Sequence, residues 1–372
     1  MRIFRFHDYK LINVIKNFTP NWFAVNMGTG ISAICLEILL SKLTPYNYLP
    51  VFLWGFNILL FLVFSVLFCL KIIIYPKLFI NMLKHSSQPM FLGCIPMGLV
   101  TIINGCVIFG IKLMGFSLIN ITLNLWWIDV FLSLFCITIV PYFMFVYHDH
   151  KLENMTGLWL LPFVACEVAS ASGNLLLPYI DINSQNIIFI VSFFLWTISI
   201  VLAFHILVIL FYRLTIHKIP SSDLSATIWL PVGPMGTGSF AMFLFSDKSK
   251  LFYNSSLLSF FDMKIFSNLT MILGIVLWVV ATWWVIIAIL ITFYYAINKL
   301  LRFNLGFWGY TFPLGVYILA TNQFFNKSKF TIIWYEVYSL IIILVTIMLF
   351  LLFKTLQGFY TGELILDSNL KK

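Results

Sequence analysis

The chain has 372 residues, of which 62% are hydrophobic and only 9% are charged. Soluble globular domains carry about 25% charged residues, so this chain has too little charge to cover a surface exposed to water. Its formal net charge of +9 comes from lysines and arginines in short clusters between apolar runs, which favours membrane orientation over a nucleic-acid-binding face.

Apolar runs long enough to cross a bilayer follow one another along the whole chain. Because about 20 helical residues span a hydrocarbon core of about 30 Å, the sequence predicts an all-α integral membrane protein with ten transmembrane helices. In chain order these cover residues 22–41, 51–75, 91–111, 125–147, 158–177, 186–212, 226–246, 267–297, 306–325 and 332–354. The predicted domains are a leader over residues 1–17, a membrane transport domain over 18–356 and a tail over 357–372.

The positive charges predict how the chain is inserted. Ten spans place both termini on one side of the membrane, and the segments on that side hold 15 lysines and arginines against 7 on the other. Because positive charge stays inside, we expect both termini in the cytoplasm and the protein in the plasma membrane. The first sixteen residues lack a long apolar core, so they are expected to be a cytoplasmic leader.

Glycine and proline alternate with the predicted spans. Thirteen of the 19 glycines lie in the odd-numbered spans, whereas the even-numbered spans hold Gly55 and Gly274 and are rich in bulky apolar residues. Freed backbone groups are tolerated at membrane depth only beside protein or water. The pattern predicts five helical hairpins around a central pore, with odd helices in an inner ring and even helices in an outer ring. The alternative is that small residues only allow close helix packing.

The inner ring has a consequence for the solute. All five inner helices would start in the cytoplasm, and breaks near the middle of the membrane would expose N–H groups and partial positive charge. Such an environment favours an anion.

One acidic residue lies deep in a predicted span. Glu167 is nine residues into the fifth span, and Ser170, Ser172 and Gly173 follow it. An ionisable group at this depth is costly and is a functional candidate. Two interpretations stay open: Glu167 couples proton movement to anion movement, or it braces two inner helices as a structural residue.

Four segments carry a family resemblance. FTPNWFAVNMGTGISA from Phe18, FLGCIPMGLVTI from Phe91, LPVGPMGTGSFA from Leu230 and WGYTFPLGVYILAT from Trp308 resemble the tellurite-resistance/dicarboxylate transporter family. That family includes malic acid transporters, sulfite efflux pumps and slow-type anion channels. The resemblance covers nearly the whole chain, and the MGTGIS segment favours the malate and sulfite branches.

The resemblance implies a homotrimer with one pore in each subunit, closed by a phenylalanine on the ninth helix. The matching residue here is Phe312. Small residues and prolines of the inner spans are the predicted pore lining: Gly28, Gly30, Pro96, Gly98, Ser170, Ser172, Gly173, Pro231, Gly233, Gly236, Gly238, Thr311 and Pro313. The implied partners are a small anion and the lipid bilayer, with neither cofactor nor metal.

Other motifs are weaker. The run His148-Asp149-His150 is predicted to lie in a cytoplasmic loop, where it could hold a metal or simply be solvated. Gly28-x-Gly30-x-x-Ala33 lacks the strand that a dinucleotide site requires, and no ATP-binding loop is present.

The chain is therefore expected to be a channel or a proton-coupled carrier rather than an enzyme. The alternatives are an intramembrane enzyme acting on lipid-linked substrates and a non-transporting scaffold.

Overall fold

The computed structural model describes residues 11–41, 48–252, 262–362 and 364, and every regular element among these residues is helical. Most of the predicted leader and tail lies outside the described residues. Ten long helices form the body of the protein, and we number them in chain order: α1 Phe23–Leu40, α2 Tyr48–Ile74, α3 Cys94–Gly105, α4 Leu118–Val146, α5 Leu161–Leu176, α6 Ile182–His217, α7 Val232–Lys248, α8 Met263–Ile297, α9 Thr311–Ser328 and α10 Thr331–Thr361.

Each long helix lies at a position where the sequence predicts a span, although the outer helices are longer than predicted. Helix α4 begins at Leu118 rather than 125, and α6 extends to His217 rather than 212, since a helix can continue past the hydrocarbon core. Within the described ranges, nine helices are long and apolar enough to cross a membrane. Helix α9 is outside that set, so the count of ten stays a prediction.

Every inner helix is preceded by a short 3₁₀ segment. These segments are Pro20–Trp22, Gln88–Gly93, Gly157–Leu160, Ser222–Trp229 and Leu305–Tyr310. The prolines of the recurring motifs lie at this junction: Pro162 and Pro313, for example, occupy the first turns of α5 and α9. Proline is tolerated in a first turn because its missing N–H would have no intrahelical partner there. The expectation that these prolines interrupt helix interiors was therefore wrong.

Burial separates the helices into two layers, as the alternation of glycine and proline predicts. The apolar windows of the first four odd-numbered spans are 78 to 100% buried, whereas those of the five even-numbered spans are 22 to 44% buried. In α9, all residues from Thr311 to Thr321 are buried. Odd helices are therefore inner and even helices outer, which confirms the predicted order of the two layers.

The inner helices form a closed ring. Helix α1 packs against α3, α3 against α5, α5 against α7, α7 against α9, and α9 returns to α1. Each outer helix packs against the inner helix that precedes it, so the second layer covers the first. This closure fixes the five inner N-termini at one end of the molecule, where the cavity described below lies.

Close approach within the ring depends on glycine at specific points. A Cβ atom at Gly236 of α7 would lie 3.1 Å from the backbone nitrogen of Tyr317 in α9, and one at Gly28 of α1 would collide with the indole ring of Trp308. A side chain at either position would push neighbouring inner helices apart. Close packing therefore accounts for part of the glycine pattern.

Candidate functional site

A cavity of about 710 Å³ lies at the N-terminal ends of the inner helices. We call it the vestibule. All five inner helices contribute to its wall, together with their 3₁₀ segments and the loops that precede them. Representative lining residues are Asn21 and Met27 before and in α1, Met90 and Met97 before and in α3, Leu161 and Val164 in α5, Leu230 and Gly233 before and in α7, and Trp308 and Phe312 before and in α9.

The deep end of the vestibule is lined by uncharged residues. We call this part the throat and define it by Met27, Met97, Val164, Gly233 and Phe312, which are the lining residues farthest along α1, α3 and α5 together with their counterparts on α7 and α9. A side chain at Gly233 would have only the Cγ1 of Val164 within 4 Å, at 3.9 Å. The glycine thus leaves one side of the throat open.

Charged side chains line the mouth of the vestibule, and their formal charges cancel. Asp149 and Asp223 supply two negative charges, while Lys151 and Lys354 supply two positive charges. His150 is the one histidine among the lining residues described. The side chains at the mouth therefore supply no surplus of positive charge.

Backbone and side-chain hydrogen bonds hold the mouth in shape. The side-chain oxygen of Asn304 accepts from the backbone N–H of Gly306 at 2.8 Å, and its amide group donates to the Asp223 carbonyl at 3.0 Å. The first bond caps the segment that leads into α9, and the second joins it to the segment that leads into α7. Deeper in the wall, the indole N–H of Trp308 donates to the Thr355 hydroxyl at 2.9 Å and ties α9 to α10.

Arg213 connects the end of α6 to two loops near the mouth. Its guanidinium donates to the Glu153 carbonyl oxygen at 3.1 and 2.6 Å and to the Lys218 carbonyl oxygen at 2.6 Å. The side chain is buried, and three carbonyl bonds satisfy its planar donor group. Arg213 therefore positions the loop that carries the vestibule residues Lys151 and Asn154.

Comparison with known proteins identifies the family. Residues 17–356 match the profile of the voltage-dependent anion channel family, so the match covers the whole membrane domain. The chain belongs to this family.

Relatives with assigned names agree with that membership. The sulfite efflux pump of Arthroderma benhamiae is 34% identical over 328 residues, covering 86% of this chain and 85% of the pump. An uncharacterized transporter of Methanocaldococcus jannaschii is 30% identical over 358 residues, covering 95% and 96% of the two chains. The malic acid transport protein of Schizosaccharomyces pombe is 22% identical over 163 residues, covering 43% and 37%.

Membership in the voltage-dependent anion channel family makes the protein a membrane anion transporter or channel and not an enzyme. The predicted resemblance to the tellurite-resistance/dicarboxylate group is thus confirmed through its sulfite and malate branches.

Three of the predicted pore residues line the vestibule: Gly233, Phe312 and Pro313. Phe312 is 3% exposed and lies in the first turn of α9. The other predicted residues are not among those that line this cavity: Gly28, Gly30, Pro96, Gly98, Ser170, Ser172, Gly173, Pro231, Gly236, Gly238 and Thr311.

Several of these residues contact neighbouring helices instead. Gly173 lies against Trp126 of α4, and the Ser172 hydroxyl donates to the side-chain oxygen of Asn104 at 2.7 Å. The Thr311 side chain lies against Gly28 of α1, where an added Cβ atom would collide with its hydroxyl oxygen. In this conformation these contacts lie between helices, behind the wall of the vestibule.

Glu167 also lies behind that wall. A Cβ atom built at Gly238 would lie 2.6 Å from its Oε1 atom and 3.2 Å from side-chain carbons of Ile200 in α6 and Leu277 in α8. The carboxyl group is therefore enclosed where α5 and α7 meet the outer helices. In the described part of the chain, no lysine, arginine or histidine forms an ion pair with it.

Sequence reasoning missed two sets of residues. Asp129 of α4 is fully buried, and neither carboxylate oxygen has a hydrogen-bond partner among the described residues. An acid within an apolar run was the signal that could have found it. The vestibule residues Lys151 and Asp223 lie in segments between the long helices, where no periodic pattern marks a role, and the sequence indicates Asp149 only as part of a possible metal-binding run.

Proposed function

We propose that the protein moves small, singly charged inorganic anions, with sulfite as the first candidate, through a conduit enclosed by the inner ring. The vestibule is its cytoplasmic entrance, because the excess of lysine and arginine in the segments on that side favours cytoplasmic termini. Sulfite is preferred over malate because the sulfite efflux pump matches most of the chain, whereas the malic acid transport protein matches less than half.

The observation that carries this proposal is the convergence of five helix N-termini on one cavity. Each helix N-terminus bears a partial positive charge of about half an elementary charge. The lining side chains contribute no net charge, so the helix ends set the sign of the potential. An anion is attracted to such a cavity, and a cation is repelled.

The throat restricts which anions pass. Met27, Met97, Val164 and Phe312 offer no fixed cation to replace the water that an anion must shed. The cost of moving an ion into a less polar medium rises with the square of its charge. A dianion such as sulfate should therefore be excluded far more strongly than the singly charged form of sulfite.

Phe312 is the proposed gate. Its ring lies at the closed end of the vestibule on α9, and Gly233 leaves open space on the neighbouring helix α7. A change of rotamer would let the ring move without rearrangement of the backbone. An apolar ring that closes a narrow conduit also prevents continuous hydration, which is an established way to block ions.

The test is anion flux into vesicles that contain the purified protein. We expect sulfite uptake well above that of protein-free vesicles, with faster uptake as acidification increases the singly charged fraction. Sulfate uptake should be at least about tenfold slower, because of its second charge. Equal uptake of sulfite and sulfate, or none of either, would contradict the proposal.

A further inference from the structure

Three histidines lie together beside the vestibule mouth. His148 and His150 follow α4, and His85 follows the short helix Pro76–Leu83. The Nδ1 atom of His148 lies 3.2 Å from the Nε2 atom of His150, and the Nε2 atom of His148 lies 2.7 Å from the Leu83 carbonyl oxygen. His150 also lines the vestibule and packs against Trp159 with 4.7 Å between ring centroids.

These contacts determine which nitrogen atoms carry hydrogen. A carbonyl oxygen only accepts, so the Nε2 atom of His148 must be the donor in its bond to Leu83. In the neutral ring, Nδ1 of His148 is then bare and accepts from the Nε2–H of His150. The two rings therefore form a directed hydrogen-bonded pair rather than two independent solvated histidines.

The pair can take up one proton without separating. A proton added to Nδ1 of His148 reverses the bond, and His150 then accepts through Nε2 while its own hydrogen moves to Nδ1. The pair gains one positive charge and keeps its contact. A second proton would place two N–H groups face to face at 3.2 Å and would separate the rings.

Because the other charges that line the mouth cancel, one added proton sets the net charge of the mouth. Asp149 and Asp223 balance Lys151 and Lys354 around the mouth, and Lys84 lies over the Tyr147 ring at 4.9 Å. The Nδ1 atom of His85 accepts backbone N–H bonds from Ser87 and Gln88 at 3.1 and 3.4 Å. Apart from the histidines, the lining of the mouth is therefore neutral.

The surroundings of His150 and His85 disfavour their charged forms. Burial lowers the pKa of His150 below its usual value of about 6.5, His148 lowers it further, and Asp149 opposes the shift. Burial and His148 also lower the pKa of His85. Positive charge on these rings is thus present in acid and lost as the pH rises.

We propose that the His148–His150 pair is a proton-operated entry site for the transported anion, which gives the vestibule mouth a net positive charge when that side is acidic. The inference rests on the proposed function, because it assumes that anions enter through the vestibule. A charge at the mouth raises the local concentration of an oppositely charged solute and speeds its entry.

The experiment compares sulfite flux at pH 7.5 and pH 5.5 after subtraction of uptake by protein-free vesicles. His148→Gln and His150→Gln keep amide donors and acceptors but cannot be charged. The ratio of variant to parent flux at each pH cancels the change in sulfite ionisation. We expect a ratio near 1 at pH 7.5 and a three- to tenfold loss at pH 5.5.

Two further variants make the test sharper. His150→Lys carries a permanent charge and should give a flux at pH 7.5 that approaches the acid flux of the parent. His217→Gln is the matched control. This exposed histidine is the last residue of α6 and lies at the same end of the molecule as the pair, so the variant should behave like the parent. Variant ratios that are the same at both pH values, or an equal loss in His217→Gln, would overturn the inference. No flux from the parent at either pH would instead contradict the proposed function, and this inference with it.

Discussion

Gly28 has only a hydrogen atom in place of a side chain, and this allows α1 to pack closely against the start of α9. A Cβ atom here would overlap the indole ring of Trp308, which is buried and bonded to Thr355. We expect Gly28→Ala to lower the free energy of unfolding by about 1–3 kcal/mol, because the rigid ring cannot move aside without displacing its helix. The midpoint of thermal unfolding in detergent is the measurement.

Gly55 is the matched control for this substitution. It lies in the outer helix α2, and a Cβ atom there would have no neighbour within 4 Å. Gly55→Ala should leave the midpoint unchanged or raise it slightly, since alanine favours a helix over glycine by up to about 1 kcal/mol. Equal losses from both substitutions would show that packing against Trp308 is not the cause.

Glu167 is a second residue whose role the structure narrows. Its carboxyl group lies between helices, against Gly238, and the throat residue Val164 lies one turn away on the same helix. Neither carboxylate oxygen has a hydrogen-bond partner among the described residues, and we propose that a carboxyl group enclosed behind the wall does not meet the anion. We expect Glu167→Gln to retain sulfite flux and the pH dependence of the parent. Loss of that pH dependence would restore the proton-coupling interpretation.

At the scale of elements, the end of α6 is fixed by Arg213. Lysine in its place cannot reproduce the three bonds to the Glu153 and Lys218 carbonyls. We expect Arg213→Lys to reduce stability by about 1–3 kcal/mol, because a buried lysine ammonium in place of the guanidinium would lose some of these hydrogen bonds. Arg302→Lys, at an exposed position, should have almost no effect on the unfolding midpoint. A loss in Arg302→Lys as large as in Arg213→Lys would contradict this account.

The alternation of inner and outer helices could be predicted from the sequence, but its physical cause could be predicted only in part. Glycine is frequent in the inner helices because it allows them to pack closely in the ring. Proline is frequent there because it fits the turns where the 3₁₀ segments lead into these helices. Pro162 and Pro313 lie in first turns, where they cost no hydrogen bond. Gly233 faces the cavity while Gly236, one turn later, faces the Tyr317 backbone. Composition alone cannot distinguish these two environments.

The vestibule mouth shows where sequence reasoning stops. Asp149, Lys151 and Asp223 come from connections between helices, and only the closure of the ring brings them to one place. The His148-Asp149-His150 run is visible in the sequence, yet its pairing depends on the Leu83 carbonyl, 65 residues away. Such contacts are set by tertiary packing, which hydrophobic periodicity does not specify.

At the scale of the whole molecule, we propose that the ring of inner helices attracts anions and excludes those of higher charge. We propose that five helix ends draw an anion into the vestibule and that the uncharged throat limits which anions can continue. The outer helices cover the ring with apolar side chains, of which Phe145 of α4 is 85% exposed. We therefore propose that the inner layer carries the anion and that the outer layer contacts lipid.

The measurement that tests this account most directly is sulfite flux through the Phe312→Ala variant in vesicles, compared with Phe145→Ala. Removal of the ring at the closed end of the vestibule should raise flux by about tenfold or more, because the apolar block is lost. The same truncation at the exposed outer position should leave flux at the parent level. If Phe312→Ala conducted no faster than Phe145→Ala while remaining folded, the anion path would not pass Phe312, and the central claim would be wrong.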